Sequence, residues 1–264
     1  MVRCNDNVII FQSALYKTNS VVIGFKDVVF IIDPGCLPNE VRIIKEFVDE
    51  AYPNSLKVVI YTHADFDHII GHFAFVDAVN IASFSCNKRL LTKKPLQEMV
   101  DFYQSYYIDI PNNFGNLNID HTIHFDYQIL HINDVDLVFY LMDGHTQDGL
   151  SIYFPSMETL VVGDYVSDLE CPWIEDTLTN YHLTLDKLQI FLSNYPIQTC
   201  IPGHGNPYFD KKDILRRIDI DKEYLRMLEG VASMNEIQSF LSKMYSPNPK
   251  LMDIHKANIL KLNK

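Results

Sequence analysis

Residues 62–68 carry the densest set of chemically capable side chains in this sequence. They read Thr62-His63-Ala64-Asp65-Phe66-Asp67-His68, so four of the six residues from His63 onward are nitrogen or oxygen donors. A regular strand or helix would divide such side chains between its faces, whereas a loop at a strand end can turn them to one side. Neighbouring carboxylates repel each other unless a cation offsets their charge. The segment therefore predicts a bound divalent metal.

Three later segments place glycine beside a potential ligand at the end of an apolar run. They are Gly144-His145-Thr146, Val161-Val162-Gly163-Asp164 and Pro202-Gly203-His204-Gly205. Glycine lets the backbone turn tightly and approach a metal or substrate closely. Imidazole and carboxylate ligands suit zinc, iron or manganese, and a pair of such ions can generate hydroxide at neutral pH.

The first ligand segment needs a strand to position it, and the sequence supplies one. Apolar, β-branched runs at 8–11, 21–25 and 28–32 predict strands, and the apolar spacing over 40–50 predicts a helix. A further strand at 57–61 ends directly at the ligand segment. The pattern indicates a strand, helix, strand unit.

The rest of the chain alternates strands and helices. We predict helices at 69–76, 95–107 and 180–194 and after 211. We predict strands at 79–83, 149–154 and 160–162, and further strands within 121–142 on either side of a turn at Asn133-Asp134. Residues 87–120, with the loop 111–116, are interpreted as an inserted lid or edge element. Strands followed by helices in both halves favour sheets packed face to face and covered by helices.

Together these segments resemble the metallo-β-lactamase superfamily. Its hallmark is H-x-H-x-D-H, followed by histidine in G-H-T, aspartate in G-D and histidine in P-G-H-G, and all four pieces occur here in order, the first with Asp65 in place of its second histidine. The resemblance implies an α/β fold, a four-layer αβ/βα sandwich with the site at one edge of the two sheets. Residues 1–210 would form this domain, and 211–264 would be a helical extension packed on it.

The resemblance also implies a ligand set for two divalent metal ions. The first ion would be held by His63, Asp65 and His145, the second by Asp67, His68 and His204, with Asp164 bridging. Zinc is the first choice, and iron and manganese are alternatives. Asp65 departs from the family pattern, which usually has histidine there. An added carboxylate would make the site less positive, and we expect it to activate water less strongly or to favour iron or manganese.

The implied activity is that of a metal-dependent hydrolase. A hydroxide on the metals would attack an ester, thioester or lactone, with Asp164 positioning the metals and Asp67 accepting or relaying a proton. A phosphodiesterase is the alternative hydrolase. A di-iron redox protein and a noncatalytic metal-dependent sensor are alternatives from other classes, the first because iron members also carry a carboxylate in place of the second histidine.

Several residues have simpler explanations. Asp65 could cap a loop without binding metal, which would leave one occupied site. Asp33 is interpreted as a turn residue with no ligand role, Asp148 as a ligand-orienting acceptor or a turn cap, and His72 as helix packing. Five histidines belong to no ligand pattern: His121, His124, His131, His182 and His255.

Composition bounds the class of protein. The 264 residues, 47% of them hydrophobic, can bury a full core, and one globular unit is expected. The sequence has neither a bilayer-spanning apolar run nor a signal-like start, which predicts a cytoplasmic protein with no membrane contact. Its five cysteines are scattered along the sequence. Its net charge of -12 disfavours nonspecific binding to nucleic-acid phosphates. We therefore expect reduced thiols and a small-molecule substrate; the oligomeric state is open, a dimer being one option.

Overall fold

The computed structural model describes residues 2–111, 114–115, 117–230 and 232–262. The chain divides into two compact units, Met1–Leu141 and Met142–Lys264. Each unit combines strands with helices, so the predicted mixed α/β class is confirmed. Three asparagines of the predicted loop at 111–116, Asn112, Asn113 and Asn116, lie outside the described residues. The domain boundary after residue 210 stays a prediction.

The first unit contains a seven-stranded sheet. Its strands in spatial order are β1 (Val2–Arg3), β2 (Val8–Gln12), β3 (Asn19–Gly24), β4 (Val28–Ile32), β5 (Leu56–Ile60), β6 (Val79–Ser83) and β7 (His121–Ile123). Pairing is antiparallel from β1 to β4 and parallel from β4 to β7. The helices are α1 (Pro38–Ala51), α2 (Phe66–Ile69), α3 (Phe84–Leu91) and α4 (Lys94–Ser105). Strands β8 (Gln128–Ile132) and β9 (Val135–Leu141) form an antiparallel hairpin.

One face of this sheet builds a core with helix α1. Val22 and Ile31 of the sheet and Ile44 and Val48 of the helix belong to one buried cluster. The helix buries residues three to four positions apart, as an amphipathic helix must. Strands β3 and β4 are buried along their whole length. The β-branched side chains that predicted these strands thus fill the core.

Strand predictions in the first unit hold better than helix predictions. The strands at 28–32 and 79–83 are confirmed, and Asn133 and Asp134 adopt the positive φ angles, 45° and 63°, of a tight hairpin turn. The helix predicted at 69–76 is confirmed only in part. Helix α2 instead ends at Ile69, and a 3-10 turn follows over Ile70–Ala74. There the Gly71 backbone N–H donates to the Pro34 carbonyl at 2.7 Å, outside any α-helical ladder.

The second unit contains three strands in the order β12–β11–β10. They are β10 (Leu150–Phe154), β11 (Thr159–Val161) and β12 (Thr199–Ile201). Strands β10 and β11 are antiparallel, and β11 and β12 are parallel. Four helices complete the unit: α5 (Leu178–Asn194), α6 (Lys211–Glu229), α7 (Met234–Met244) and α8 (Leu251–Leu262).

A buried polar network connects helix α6 to Tyr245, the residue after α7. Arg217 Nε lies 3.2 Å from Asp221 Oδ1, and the Tyr245 hydroxyl donates to the same oxygen at 2.8 Å. Burial raises the pKa of Asp221 to about 6, although Arg217 and Tyr245 favour the ionised carboxylate. This network ties the C-terminal helices together.

Two expectations from composition can be compared with the structure. All five cysteines are free thiols, as predicted. Within the described ranges, no helix combines the length and apolar character needed to cross a membrane.

Candidate functional site

The parallel pairing of β4 and β5 brings Asp33 beside the first ligand segment. Ile32 pairs with Ile60, so the residues that follow the two strands are neighbours. The Asp33 carboxylate accepts hydrogen bonds from the Thr62 backbone N–H at 2.7 Å and from its hydroxyl at 2.6 Å. Its Oδ2 also lies 2.9 Å from His68 Nδ1. A histidine held through Nδ1 presents Nε2 to a metal, so Asp33 orients a predicted ligand.

The four predicted ligands of the first unit lie together at the end of β5. The His63 and His68 rings have centroids 4.2 Å apart. His63 Nε2 lies 3.5 Å from Asp65 Oδ2, and His68 Nε2 lies 3.7 Å from Asp67 Oδ2. His63, Asp67 and His68 are buried. The dense segment therefore forms one cluster of donors, as its sequence predicts.

Asp65 occupies the N-cap position of α2 without capping it. Among the described residues its side chain makes no capping hydrogen bond to the helix. Its Oδ1 instead lies 2.5 Å from an amino group of the Arg89 guanidinium, which comes from α3. The capping alternative for Asp65 therefore has no support in this geometry. The sequence did not reveal Arg89, because neither its spacing nor its neighbours resemble a ligand motif.

The second unit gathers His145, Asp164 and His204 about one carboxylate oxygen. Asp164 Oδ2 lies 3.4 Å from His145 Nε2 and 3.2 Å from His204 Nε2. Asp164 and His204 follow the parallel strands β11 and β12, whose ends are joined where Gly203 N–H donates to the Gly163 carbonyl at 2.6 Å. A carboxylate oxygen between two imidazoles is the arrangement expected of a bridging ligand.

His145 is fixed through its ring and its backbone. Its Nδ1 lies 2.9 Å from the Trp173 carbonyl, which leaves Nε2 toward Asp164. Its backbone N–H donates to the Tyr165 hydroxyl at 2.9 Å, and that hydroxyl donates to the Met142 carbonyl at 3.0 Å. Burial raises the pKa of Tyr165, so its hydroxyl keeps the proton that it donates. These contacts hold the imidazole in one orientation.

Helix α8 holds the segment that carries Trp173. The Asn258 side chain accepts from the Ile174 backbone N–H at 2.9 Å and donates to the Pro172 carbonyl at 2.7 Å. It thus bridges the residues on either side of Trp173. Asn258 is fully buried. The C-terminal helices therefore support the backbone that orients His145, a role that the sequence did not indicate.

Glu170 is an additional potential ligand that the sequence analysis missed. Its Oε2 lies 3.9 Å from His204 Nε2. Ligand atoms of Asp164, Glu170 and His204 all lie within 4.8 Å of one another. The only signal in the sequence is a carboxylate six residues after Asp164, with no glycine beside it. Such spacing alone does not distinguish a ligand from a surface residue.

The remaining polar candidates have other surroundings. His72 is buried with its two ring nitrogens 3.2 Å and 3.0 Å from the Ile69 and Gly115 carbonyls, and burial lowers its pKa. This agrees with the packing role predicted for it. Asp148 is buried as well. In the part of the chain that the structure describes, no potential metal cluster includes His72, His121, His124, His131, His182 or His255.

The donors within each unit fit a divalent metal. Ligands about 2.1 Å from a tetrahedral zinc ion lie about 3.4 Å apart. The imidazole and carboxylate atoms of neighbouring predicted ligands are separated by 3.2 to 3.7 Å within each unit. Imidazole nitrogen and carboxylate oxygen are also the donors that zinc, iron and manganese accept.

Comparisons with known proteins identify a family for the chain. Residues 15–205 match the metallo-β-lactamase superfamily. A comparison with curated protein sequences found no match.

Solved structures with a similar fold include two bacterial metallo-β-lactamase family members. A family protein from Thermus thermophilus is 14% identical with a TM-score of 0.62, the match covering 86% of this chain and 82% of that one. A metallo-β-lactamase from Pontibacter korlensis is 16% identical with a TM-score of 0.58, over 83% of this chain and 97% of that one. Identities this low establish a shared fold alone.

A larger enzyme shares the fold too. The stereoselective inverting sec-alkylsulfatase from a Pseudomonas species is 12% identical with a TM-score of 0.66. The match covers 94% of this chain and 45% of the alkylsulfatase, so the chain spans less than half of that enzyme.

Proposed function

Because this chain belongs to the metallo-β-lactamase superfamily, we propose that it is a hydrolase that depends on two divalent metal ions and cleaves an ester, thioester or lactone. The observation that carries the proposal is the separation of 3.2 and 3.4 Å between Asp164 Oδ2 and two imidazole nitrogens. The superfamily generally binds divalent metals, and we assign Asp164 as the bridging carboxylate.

The proposed ligands follow the family pattern. His63, Asp65 and His145 would hold one ion, Asp67, His68 and His204 the other, and Asp164 both. Zinc remains the first choice, with iron and manganese as alternatives. Divalent ions at such a site supply Lewis acidity and lower the pKa of water toward neutrality.

Residues of this chain would orient the metal ligands and transfer a proton. Asp33 and the Trp173 carbonyl fix His68 and His145 through Nδ1, which keeps the Nε2 atoms available as donors. Asp67 Oδ2 accepts a hydrogen bond from the Thr18 hydroxyl at 2.9 Å. We assign Asp67 the transfer of a proton during hydrolysis, since it is a buried carboxylate inside the donor cluster.

A small-molecule substrate fits the chain better than a nucleic acid. The net charge of -12 would repel a phosphate backbone. The phosphodiesterase alternative therefore concerns small phosphodiesters. Sulfate esters belong in a substrate survey, because an alkylsulfatase shares the fold.

The proposal is tested by loading the purified chain with zinc, manganese or iron and measuring bound metal, hydrolysis and oxygen consumption. The panel is an aryl ester, a thioester, a lactone, a phosphodiester and an alkyl sulfate. We expect about two ions per chain and turnover of a carbonyl substrate. Asp164→Asn should lower turnover by at least about a hundredfold and reduce bound metal, because it removes a shared ligand. The matched control is Asp186→Asn, at a carboxylate that is 60% exposed on α5.

Two outcomes would overturn the proposal. A wild-type chain that binds no divalent ion has no metal centre, whatever its fold. A metal-loaded chain that turns over none of the five substrate classes but consumes oxygen with iron would be a redox protein instead.

A further inference from the structure

The Asp65–Arg89 pair is the feature of the donor cluster that the family pattern does not explain. The guanidinium of Arg89 lies 2.5 Å from Asp65 Oδ1, and the other carboxylate oxygen, Oδ2, lies 3.5 Å from His63 Nε2. Both side chains are mostly buried, at 23% and 21% exposure. A charge-assisted contact this short in a partly buried place is stronger than a surface ion pair.

We infer that Arg89 is a positioning residue that offsets the charge of Asp65, so that the pair replaces the neutral histidine usual at this place. The inference rests on the proposed metal centre. A carboxylate and a guanidinium sum to zero formal charge, as does one neutral imidazole. Under this inference the pair leaves the centre as positive as a histidine would, whereas Asp65 considered alone is expected to make it less positive.

The geometry also makes Asp65 resemble histidine in the number of atoms it offers. Arg89 engages Oδ1, while Oδ2 is the oxygen that faces His63 Nε2. A carboxylate without such a partner can bind a metal through both oxygens. With Arg89 present, Asp65 offers a single donor atom, as an imidazole does.

Lys88 of helix α3 provides a control position for the role of Arg89. Lys88 precedes Arg89 in the same helix and is exposed, with its amino group 4.4 Å from the Phe84 ring centroid. Lys88→Gln removes one positive charge from α3 without touching Asp65. Comparing it with Arg89→Gln separates a local offset from a change in net charge.

The experiment measures the affinity of the metal-free, full chain for Zn²⁺ by competition with a chromophoric chelator. Four proteins form a cycle: wild type, Arg89→Gln, Asp65→His and the double variant. Counting the charges of residues 65 and 89 gives 0, −1, +1 and 0 in that order. A unit charge a few ångströms from a divalent ion changes its binding on the order of tenfold even in water.

We expect Arg89→Gln to bind Zn²⁺ about tenfold more tightly than wild type and Asp65→His about tenfold more weakly. The double variant should return to within a few-fold of wild type. Arg89→Lys, which keeps the charge, and Lys88→Gln should both bind as wild type does. Circular dichroism and thermal unfolding confirm that each variant is folded.

Different results would contradict this inference and the proposed function. If Arg89→Gln binds Zn²⁺ no more tightly than wild type, or if the double variant binds no better than Asp65→His, Arg89 does not offset the charge of Asp65. Failure of the wild-type chain to bind Zn²⁺ at all would instead remove the proposed metal centre.

Discussion

The carboxylate of Asp33, just after strand β4, contacts three polar groups. It accepts from the Thr62 backbone N–H and hydroxyl and contacts His68 Nδ1. Its backbone is left-handed, with φ at 50°. Asparagine tolerates this conformation, so Asp33→Asn changes the side chain chemistry with little backbone strain. An amide cannot replace both carboxylate oxygens as acceptors.

We predict that Asp33→Asn weakens divalent metal binding by about 10- to 100-fold, because His68 loses the partner that fixes its ring. Stability should fall by about 1–3 kcal/mol, since a buried acceptor is lost. Chelator competition and urea unfolding measure the two effects. Asp27→Asn, at an exposed carboxylate in the turn between β3 and β4, is the matched control. Metal affinity equal to wild type would show that Asp33 has a structural role only.

At this scale the sequence predicted types of residue better than it predicted their partners. The seven donors follow from motifs, because ligand chemistry and strand ends are visible in a sequence. Asp33 was interpreted as a turn residue, and its contact with His68 was not foreseen. Arg89 and Glu170 were missed, because their contacts depend on where α3 and the segment after Asp164 come to lie. No local pattern encodes those positions.

Strand ends and glycine turns set the geometry at the scale of elements. Gly144 precedes His145 and has φ at +125°. A Cβ there would lie 2.4 Å from the Tyr181 Cα atom, which belongs to the backbone of α5. The turn can therefore hold no larger residue without moving the helix.

We predict that Gly144→Ala destabilises the protein by about 2–5 kcal/mol, through backbone strain and overpacking together. Gly230→Ala, after α6, should cost within about 1 kcal/mol, because the nearest atom to its Cβ is the Arg226 carbonyl oxygen at 3.3 Å. Thermal and urea unfolding of both variants provide the comparison. Equal losses at the two glycines would contradict the steric argument.

The sequence predicted most strands because β-branched runs with turn residues between them leave few alternatives. Helices were harder. Helix α3 was not predicted, although Ser83 accepts the capping hydrogen bond from Cys86 N–H at 2.9 Å. The helix predicted at 69–76 is a 3-10 helix over Ile70–Ala74 rather than an α-helix, and there the Gly71 N–H bonds to Pro34 in a distant part of the chain.

At the scale of the whole chain, the last helix contributes to the proposed centre through Asn258. This side chain holds both neighbours of Trp173, whose carbonyl orients His145. Asn258 is 84 positions from Ile174 and 86 positions from Pro172 in the sequence, so these contacts are long-range. The hydrophobic periodicity after 211 predicted helices but could not show that a buried asparagine among them supports a ligand.

We predict that Asn258→Leu weakens Zn²⁺ binding by about tenfold or more, because the Trp173 carbonyl is no longer fixed. Stability should also fall, since Ile174 N–H and the Pro172 carbonyl lose their partner. Ile218→Ala, at a fully buried position of α6, provides a destabilised control. Isothermal titration of both folded variants with Zn²⁺ decides the question. If both lose affinity equally, Asn258 acts through general stability alone.

The Asp65–Arg89 pair also constrains the order in which such a centre can arise from one with histidine at residue 65. Under the charge offset inferred above, acquiring the carboxylate first passes through a centre with one extra negative charge, which retains its cations. Acquiring arginine first passes through a centre with one extra positive charge, which binds them about tenfold more weakly. Metal affinity is therefore kept at every step only along the route in which the carboxylate precedes the guanidinium.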